Sequence, residues 1–355
     1  MIPANKYQTE NQNKNACIYY VYFMIYIITF ISFFTFANAL LPHFTNKNIR
    51  RPIIQMNNGY IFTEQYHPPP NKVQSYFKLF RANNILPTSV LCFTGGFITN
   101  PNLYKLIRAP AFVTSVLTTN LIMVSSMILN DLYDFDIDKI NNPTRPLITG
   151  EISRKSAIIT VSSLLFITEL LTFTYLPVNL KILMQLATVT IVIYTPILKR
   201  IPFVKNISCA SLVSFSLFFN GLAANSAVIS PTKYNILAIA TRIVFFGSLV
   251  NEILLDIRDY HGDKVNGIHT LPVIYGNNKA WIIASIFLTT NMIWNMLAIH
   301  KIYGPAKAAV LLLPFYPLYR RIYEVGLYYS NESIIKYINQ SMISMFIILA
   351  FILCI

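Results

Sequence analysis

All seven aspartates of this 355-residue chain fall in two short segments that share one spacing. The first acidic window covers residues 130–138 and the second covers residues 256–263. In each window three aspartates follow one another at offsets of three and then four residues. On a helix these offsets place the three carboxylates on one face. The aspartates concerned are Asp131, Asp134 and Asp138 in the first window, and Asp256, Asp259 and Asp263 in the second.

Clustered carboxylates of this kind predict a site for divalent cations. They repel one another and raise each other's pKa values unless a cation neutralises them. Mg²⁺ prefers a few oxygen ligands and completes its octahedron with water and phosphate oxygens, so two such clusters suit one diphosphate. Helix geometry turns Asp136 away from the first face and predicts that it is dispensable. Glu252 lies four residues before Asp256 and extends the second face one turn deeper.

Basic residues near both windows are candidate partners of the phosphate oxygens, because Arg and Lys are the usual donors to phosphate. Arg145 follows the first window, Lys199 and Arg200 lie between the windows, and Lys264 directly follows Asp263. A binding role is favoured for Arg145. For the other three, an equally good reading is that they are loop charges facing anionic lipid.

The elements that must position these residues are membrane helices. The chain is 54% hydrophobic and only 12% charged, about half the charge of a soluble domain. A helix needs roughly 20 apolar residues to cross the bilayer core. Nine segments of the body of the chain approach that length, and they predict an all-α integral membrane protein, a nine-helix bundle. They lie near residues 84–100, 111–130, 156–175, 180–198, 207–226, 236–255, 280–299, 305–319 and 337–355.

The N-terminal part is predicted to be separate from this bundle. Residues 1–41 contain a further apolar stretch that is longer than the 7–15 residues of a signal-peptide core, so a retained anchor or tenth span is favoured over a cleaved signal. Residues 42–74 are more polar and predict a linker. The membrane domain is then assigned to residues 75–355.

The charge distribution predicts the orientation and excludes some classes of protein. When the nine spans are threaded alternately, both acidic windows and most of the 28 Lys and Arg residues share one side of the membrane. The positive-inside rule assigns that side to the cytoplasm or its organellar equivalent. The net charge of +14 comes without a basic run carrying interleaved aromatics, so no nucleic-acid partner is predicted. The four cysteines have no metal-ligand spacing.

The two windows and the residues around them resemble the UbiA-type intramembrane prenyltransferases. The first window is similar to that family's NDxxDxxxD motif, beginning at Asn130, and the Arg-Pro-Leu at 145–147 is similar to its usual continuation. The second window resembles the DxxDxxxD motif, and Tyr194 with Lys199 resembles the segment between the two motifs. The resemblance covers roughly residues 75–355. Many relatives have an Arg where this chain has Asn251.

The resemblance implies a bundle of nine helices around a central cavity, with Mg²⁺ as cofactor. It also implies transfer of a prenyl group from an isoprenyl diphosphate to a prenyl acceptor that lies in the lipid membrane. The residues thus predicted are Arg145, Tyr194 and Lys199 as catalytic, Asn130, Arg145, Lys199 and Lys264 as substrate-binding, and Asp131, Asp134, Asp138, Asp256, Asp259 and Asp263 as metal ligands.

The residues that follow the two windows resemble the geranylgeranylglyceryl phosphate, chlorophyll and homogentisate branches of the family, and the Arg-Pro-Leu at 145–147 is more similar to the first two. This resemblance implies a lipid-type acceptor such as a prenylglyceryl phosphate. Three alternatives stay open. One is an aromatic acceptor of the homogentisate type. The second is a divalent-cation transporter that uses the same carboxylates, although transporter sites lie near the bilayer midplane rather than at helix ends. The third is a family member that binds prenyl lipids without turnover, against which the complete aspartate set argues.

Overall fold

The structure, a computed structural model, describes residues 71–225 and 229–354. Every regular element in these two ranges is helical. The predicted anchor or signal at residues 1–41 lies outside the described residues, as does all but the end of the predicted linker. The all-α prediction is confirmed for the described part of the chain.

The α-helices are numbered here in chain order over the described residues. They are α1 Lys72–Leu79, α2 Ile85–Thr99, α3 Leu103–Arg108, α4 Pro110–Tyr133, α5 Phe135–Asn141, α6 Pro146–Thr149, α7 Arg154–Tyr175, α8 Val178–Tyr194, α9 Val204–Ala223, α10 Pro231–Arg258, α11 Tyr260–Val265, α12 Leu271–Tyr275, α13 Asn277–Tyr303, α14 Pro305–Val310, α15 Leu312–Tyr328 and α16 Asn331–Cys354. Short 3₁₀ turns occupy Ala82–Asn84 and Leu198–Arg200.

Six of these helices are long and apolar enough to cross a membrane, namely α4, α7, α9, α10, α13 and α16. The chain is therefore an integral, multi-pass membrane protein. The other three predicted spans coincide with shorter elements. Helix α2 has 15 residues, α8 has 17, and the segment predicted at 305–319 is divided between α14 and α15. The count of nine crossing helices stays a prediction.

Buried apolar side chains form two main clusters, and each supports one of the acidic windows. One cluster joins α4, which leads into the first window, to α7 and α8. The other joins α10, which leads into the second window, to α13, α15 and α16. Helix α9 contributes Leu217 to the second cluster and Phe219 to the first. It therefore lies between the two helices that carry the windows.

Close packing and buried hydrogen bonds hold α9 against α2 and α4. Gly95 of α2 packs so closely on α9 that a Cβ atom there would lie 2.0 Å from the carbonyl oxygen of Leu217. Asn220 of α9 accepts from the Ser115 hydroxyl at 2.6 Å and donates to the Thr119 hydroxyl at 3.1 Å. Small residues allow this approach, and buried polar side chains bond across the helices, as is usual in membrane bundles.

We expect Gly95→Ala to destabilise the protein by about 1–3 kcal/mol, because the added methyl group would meet backbone atoms that cannot rotate away. The measurement is the midpoint of thermal unfolding in detergent. The matched control is Gly247→Ala in α10, where an added Cβ meets nothing within 4 Å. Equal midpoints for the two variants would contradict the close contact between α2 and α9.

Candidate active site

Both acidic windows have the same local structure, a helix that breaks at the middle aspartate. Helix α4 ends at Tyr133 and α5 begins at Phe135, so Asp134 lies at the junction with φ −81° and ψ 8°. Helix α10 ends and α11 begins around Asp259, which has φ −89° and ψ 7°. The helices that lead into the windows therefore do not run straight through them, because the chain bends at these two residues.

Despite the bend, the backbone hydrogen bonds continue across each junction. The N–H of Asp134 donates to the carbonyl of Asn130 at 2.9 Å, and the N–H of Asp138 donates to that of Asp134 at 2.8 Å. The corresponding bond of the second window joins Asp263 to the carbonyl of Asp259 at 2.9 Å. The near-helical register is kept, so the aspartates of a window still lie close together.

The carboxylates of the first window are buried and held by arginines. Asp131 and Asp138 are each 3% exposed. Arg145 Nη1 donates to Asp131 Oδ1 at 2.8 Å and also to Asp138 Oδ2. Arg81 Nη2 donates to the same Asp131 oxygen at 2.9 Å. Arg145 is therefore brought into the site, as the sequence predicted, whereas the contact of Arg81 was not predicted.

Lys199 lies in the 3₁₀ turn that follows α8, and its side chain contacts the first window. Its Nζ forms an ion pair with Asp134 Oδ2 and lies 3.5 Å from the side-chain oxygen of Asn130. Three predicted site residues, Asn130, Asp134 and Lys199, are thus in mutual contact. This contact also places the end of α8 beside the end of α4.

The second window is held by the first turn of α9. Lys205 Nζ lies 2.6 Å from Asp256 Oδ1, and Asn206 Nδ2 donates to Asp256 Oδ2 at 2.9 Å. Asp256 is only 4% exposed. Neither Lys205 nor Asn206 was among the site residues predicted from the sequence. The start of α9 therefore lies beside the end of α10, at the same end of the bundle as the first window.

The remaining aspartates of the second window are less enclosed. Asp259 is exposed and bonds Arg258, with two contacts of 2.8 and 2.9 Å. Asp263 is partly buried, and its Oδ2 atom is a buried oxygen without a hydrogen-bond partner. Burial raises the pKa of Asp263 to about 6, although nearby Lys205 acts to lower it. A buried, unpartnered carboxylate oxygen is expected to attract a cation or a proton.

Burial also raises the pKa of Asp138, although Arg145 acts in the opposite direction. The like charges of Asp131 and Asp134 add to the increase. Burial and the neighbouring carboxylates therefore disfavour the ionised form of Asp138, whereas Arg145 favours it.

Tyr194 lies on the side of the second window, deeper than the aspartates. Its hydroxyl accepts from the Cys209 thiol at 3.0 Å, and Glu252 lies near the same thiol. Three side chains from α8, α9 and α10 thus meet one turn below Asp256. Tyr194 and Lys199, both predicted to be catalytic, lie beside different windows, and the catalytic role of Tyr194 stays a prediction.

Two charged residues lie outside the cluster. Asp136 is exposed and bonds Lys139 at 2.8 Å, which agrees with its predicted place on the opposite side of the helix. Lys264 is exposed, and its ammonium lies 5.7 Å from the centre of the Tyr260 ring. The structure therefore does not bring Lys264 to an aspartate, and its predicted role in substrate binding stays a prediction.

The comparison with protein families decides the class of the protein. The family model described as the UbiA prenyltransferase family matches residues 89–349, which include both windows. The chain belongs to the UbiA prenyltransferase family. It is therefore an integral membrane enzyme that transfers prenyl groups, and the alternative of a cation transporter loses its support.

Relatives of this UbiA-family enzyme agree on the class of reaction. The chain is 30% identical over 250 residues to the digeranylgeranylglyceryl phosphate synthase of Saccharolobus solfataricus, covering 69% of this chain and 84% of that protein. It is 34% identical over 226 residues to the synthase of the same name from Sulfolobus acidocaldarius, covering 61% and 74%.

Solved structures show that the fold is shared. A digeranylgeranylglyceryl phosphate synthase structure superposes with a TM-score of 0.63 at 20% identity, covering 80% of this chain and 98% of that one. A UbiA homologue from Archaeoglobus fulgidus bound to DMAPP and Mg²⁺ superposes with a TM-score of 0.58 at 22% identity, covering 79% and 98%.

The residues of both windows fit Mg²⁺ by their chemistry. Within the described ranges, no group of three or more His, Cys, Asp and Glu side chains forms a metal cage. Mg²⁺ does not need one, because it is usually bound through one or two carboxylates together with water and substrate phosphate. The buried and unpartnered Oδ2 of Asp263 is an oxygen of the required type.

Proposed function

We propose that the protein transfers a geranylgeranyl group from its diphosphate to the free hydroxyl of a geranylgeranylglyceryl phosphate, with Mg²⁺ as the required cofactor. The observation that carries the proposal is the pairing of aspartates with cationic side chains at one end of the bundle. There, four buried or nearly buried aspartates contact four Lys and Arg side chains that can rotate to bind a diphosphate. The pairs are Asp131 with Arg81 and Arg145, Asp138 with Arg145, Asp134 with Lys199, and Asp256 with Lys205.

The predicted ligands of Mg²⁺ are the six aspartates of the two windows other than Asp136. When bound, Mg²⁺ would neutralise the negative charge that develops on the diphosphate. Arg145 and Lys199 would donate to the diphosphate oxygens, and such donors stabilise charge most strongly in a site that excludes water. Asn130 contacts Lys199 and orients it.

The names of the relatives support a prenylglyceryl phosphate as acceptor, in preference to an aromatic acceptor of the homogentisate type. In the reaction, a bond forms between the acceptor oxygen and C1 of the prenyl group, and the bond between C1 and the diphosphate oxygen breaks. The positive charge around the windows supports their assignment to the cytoplasmic or equivalent face.

The test uses the purified full-length protein in lipid nanodiscs with Mg²⁺, and mass spectrometry of the products. We expect geranylgeranyl diphosphate and geranylgeranylglyceryl phosphate to give the doubly prenylated lipid, and chelation of Mg²⁺ to abolish the product. Geranyl and farnesyl diphosphates, together with homogentisate, serve as comparison substrates. Transfer to homogentisate alone would overturn the proposed acceptor, and turnover that persists in excess chelator would overturn the metal requirement.

A further inference from the structure

Glu252 is a buried carboxylate of the site for which the proposed Mg²⁺ and diphosphate chemistry has no use. It lies four residues before Asp256 on α10, on the same helix face and about 6 Å deeper along the axis. Its side chain is largely enclosed by the bundle, and only part of the residue is exposed.

Glu252 also differs from the aspartates of the windows in its partners. Among the described residues, Asp131, Asp134, Asp138, Asp256 and Asp259 are each in an ion pair with Lys or Arg. Glu252 forms no such pair within the described ranges, and the Cys209 thiol near it donates to the Tyr194 hydroxyl. A carboxylate without a cationic partner keeps lone pairs available to accept a proton.

The depth of Glu252 matches the position of the acceptor. A diphosphate held by the aspartates would lie at their level, with C1 of the prenyl group bonded to its oxygen. The attacking oxygen must approach C1 to roughly 3–3.5 Å from the side opposite the leaving group. This places the acceptor hydroxyl about one helical turn below Asp256, which is the level of Glu252.

We propose that Glu252 is the general base that takes the proton from the acceptor hydroxyl. This inference rests on the proposed function, since it assigns a residue to the acceptor side of the same reaction. The acceptor O–H bond breaks and its proton moves to the carboxylate of Glu252. The oxygen forms its bond to C1, and the electron pair of the C1–O bond leaves with the diphosphate. The proton passes to solvent after the product has left.

Cys209 and Tyr194 act as positioning residues for this carboxylate. The thiol of Cys209 donates to the Tyr194 hydroxyl and lies near Glu252, and the three side chains come from three different helices. By filling the space beside Glu252, they would limit the rotamers open to its side chain.

The competing reading is that Glu252 is a further ligand of the metal at the second window. The two readings differ in the step that they affect. A base acts only on the acceptor, whereas a metal ligand is also needed for binding and ionisation of the prenyl diphosphate. An experiment that measures ionisation and transfer separately therefore decides between them.

The experiment compares Glu252→Gln with the wild type in two assays. The first is prenyl transfer to geranylgeranylglyceryl phosphate. The second is ionisation, measured as the exchange of ¹⁸O between bridging and non-bridging positions of geranylgeranyl diphosphate, in the presence of an acceptor analogue that lacks the free hydroxyl. We expect transfer to fall by about 10²-fold or more, as for loss of a general base, while isotope exchange stays within about threefold of the wild type.

A third assay replaces the acceptor hydroxyl by a thiol. A thiol has a pKa of about 8.5 and ionises without help, so it should bypass the missing base. We expect the thiol acceptor to return the rate of Glu252→Gln to within about tenfold of the wild-type rate with the same acceptor. The matched control is Glu324→Gln, which changes a glutamate paired with Arg321 away from the site and should leave all three assays unchanged.

Unchanged transfer in Glu252→Gln, or equal losses of transfer and isotope exchange, would overturn the proposal. If Glu252→Gln does not fold, Glu252→Asp keeps the charge with a shorter side chain, and the same pattern of lost transfer and thiol rescue is expected. Failure of the proposed function is distinguishable, because the wild type itself would then give no transfer to the prenylglyceryl phosphate.

Discussion

Replacement of Asp131 or Asp256 by Asn is expected to reduce the rate of prenyl transfer by about 10³-fold. Each is a buried carboxylate at the end of a long helix, with exposures of 3% and 4%. Bound Mg²⁺ is worth several kcal/mol of charge stabilisation in such reactions, and each 1.4 kcal/mol is a factor of ten. The measurement is kcat/KM for geranylgeranyl diphosphate at saturating Mg²⁺ and acceptor.

Asp136→Asn is the matched control, because it makes the same chemical change within the same window. Asp136 is exposed and bonds Lys139, so we expect activity within about threefold of the wild type, as for a surface substitution. A large loss in Asp136→Asn, or normal activity in Asp131→Asn, would contradict the assignment of the first window. Thermal unfolding of each variant checks that the loss does not come from the arginines left without Asp131.

The two windows could be recognised from the sequence because the spacing that defines each one spans only a few residues. Offsets of three and four residues bring carboxylates together whenever the backbone is helical. The contacts of Arg81 and Lys205 could not be recognised in this way. Arg81 is 50 residues from Asp131, and Lys205 is 51 residues from Asp256. Only the packing of α1, α4, α9 and α10 brings these cations to the carboxylates.

The helix breaks at Asp134 and Asp259 could not be predicted from the sequence either. Neither residue is Gly or Pro, which are the usual signals of a helix end. In contrast, the division of the predicted span at 305–319 had a visible cause. A proline ring clashes with the carbonyl four residues earlier in a helix. Pro314 therefore disfavours a helix that continues through residue 310, where α14 in fact ends. The missed signal was the proline within an apolar run.

Arg145→Ala is expected to reduce the rate of transfer by about 10²–10³-fold, as does the loss of one donor to a developing charge in other enzymes. Arg145 contacts both Asp131 and Asp138, so it can also reach the oxygens of a diphosphate held at the same place. Arg145→Lys should recover only part of the rate. A lysine keeps the charge but lacks the planar fork that contacts two acceptors at once.

The control for these two variants is Lys139→Ala, which removes one cation near the exposed Asp136 and should leave the rate of transfer nearly unchanged. The affinity for Mg²⁺, measured without substrate by titration calorimetry, gives a second and opposite expectation. Because Arg145 occupies oxygens of two carboxylates predicted to bind metal, Arg145→Ala should bind Mg²⁺ more tightly while it turns over more slowly. General damage to the fold would weaken both quantities. A fall in both the Mg²⁺ affinity and the rate of transfer would therefore mean that Arg145 is needed to form the first window. A higher Mg²⁺ affinity with a lower rate would mean that Arg145 binds the diphosphate.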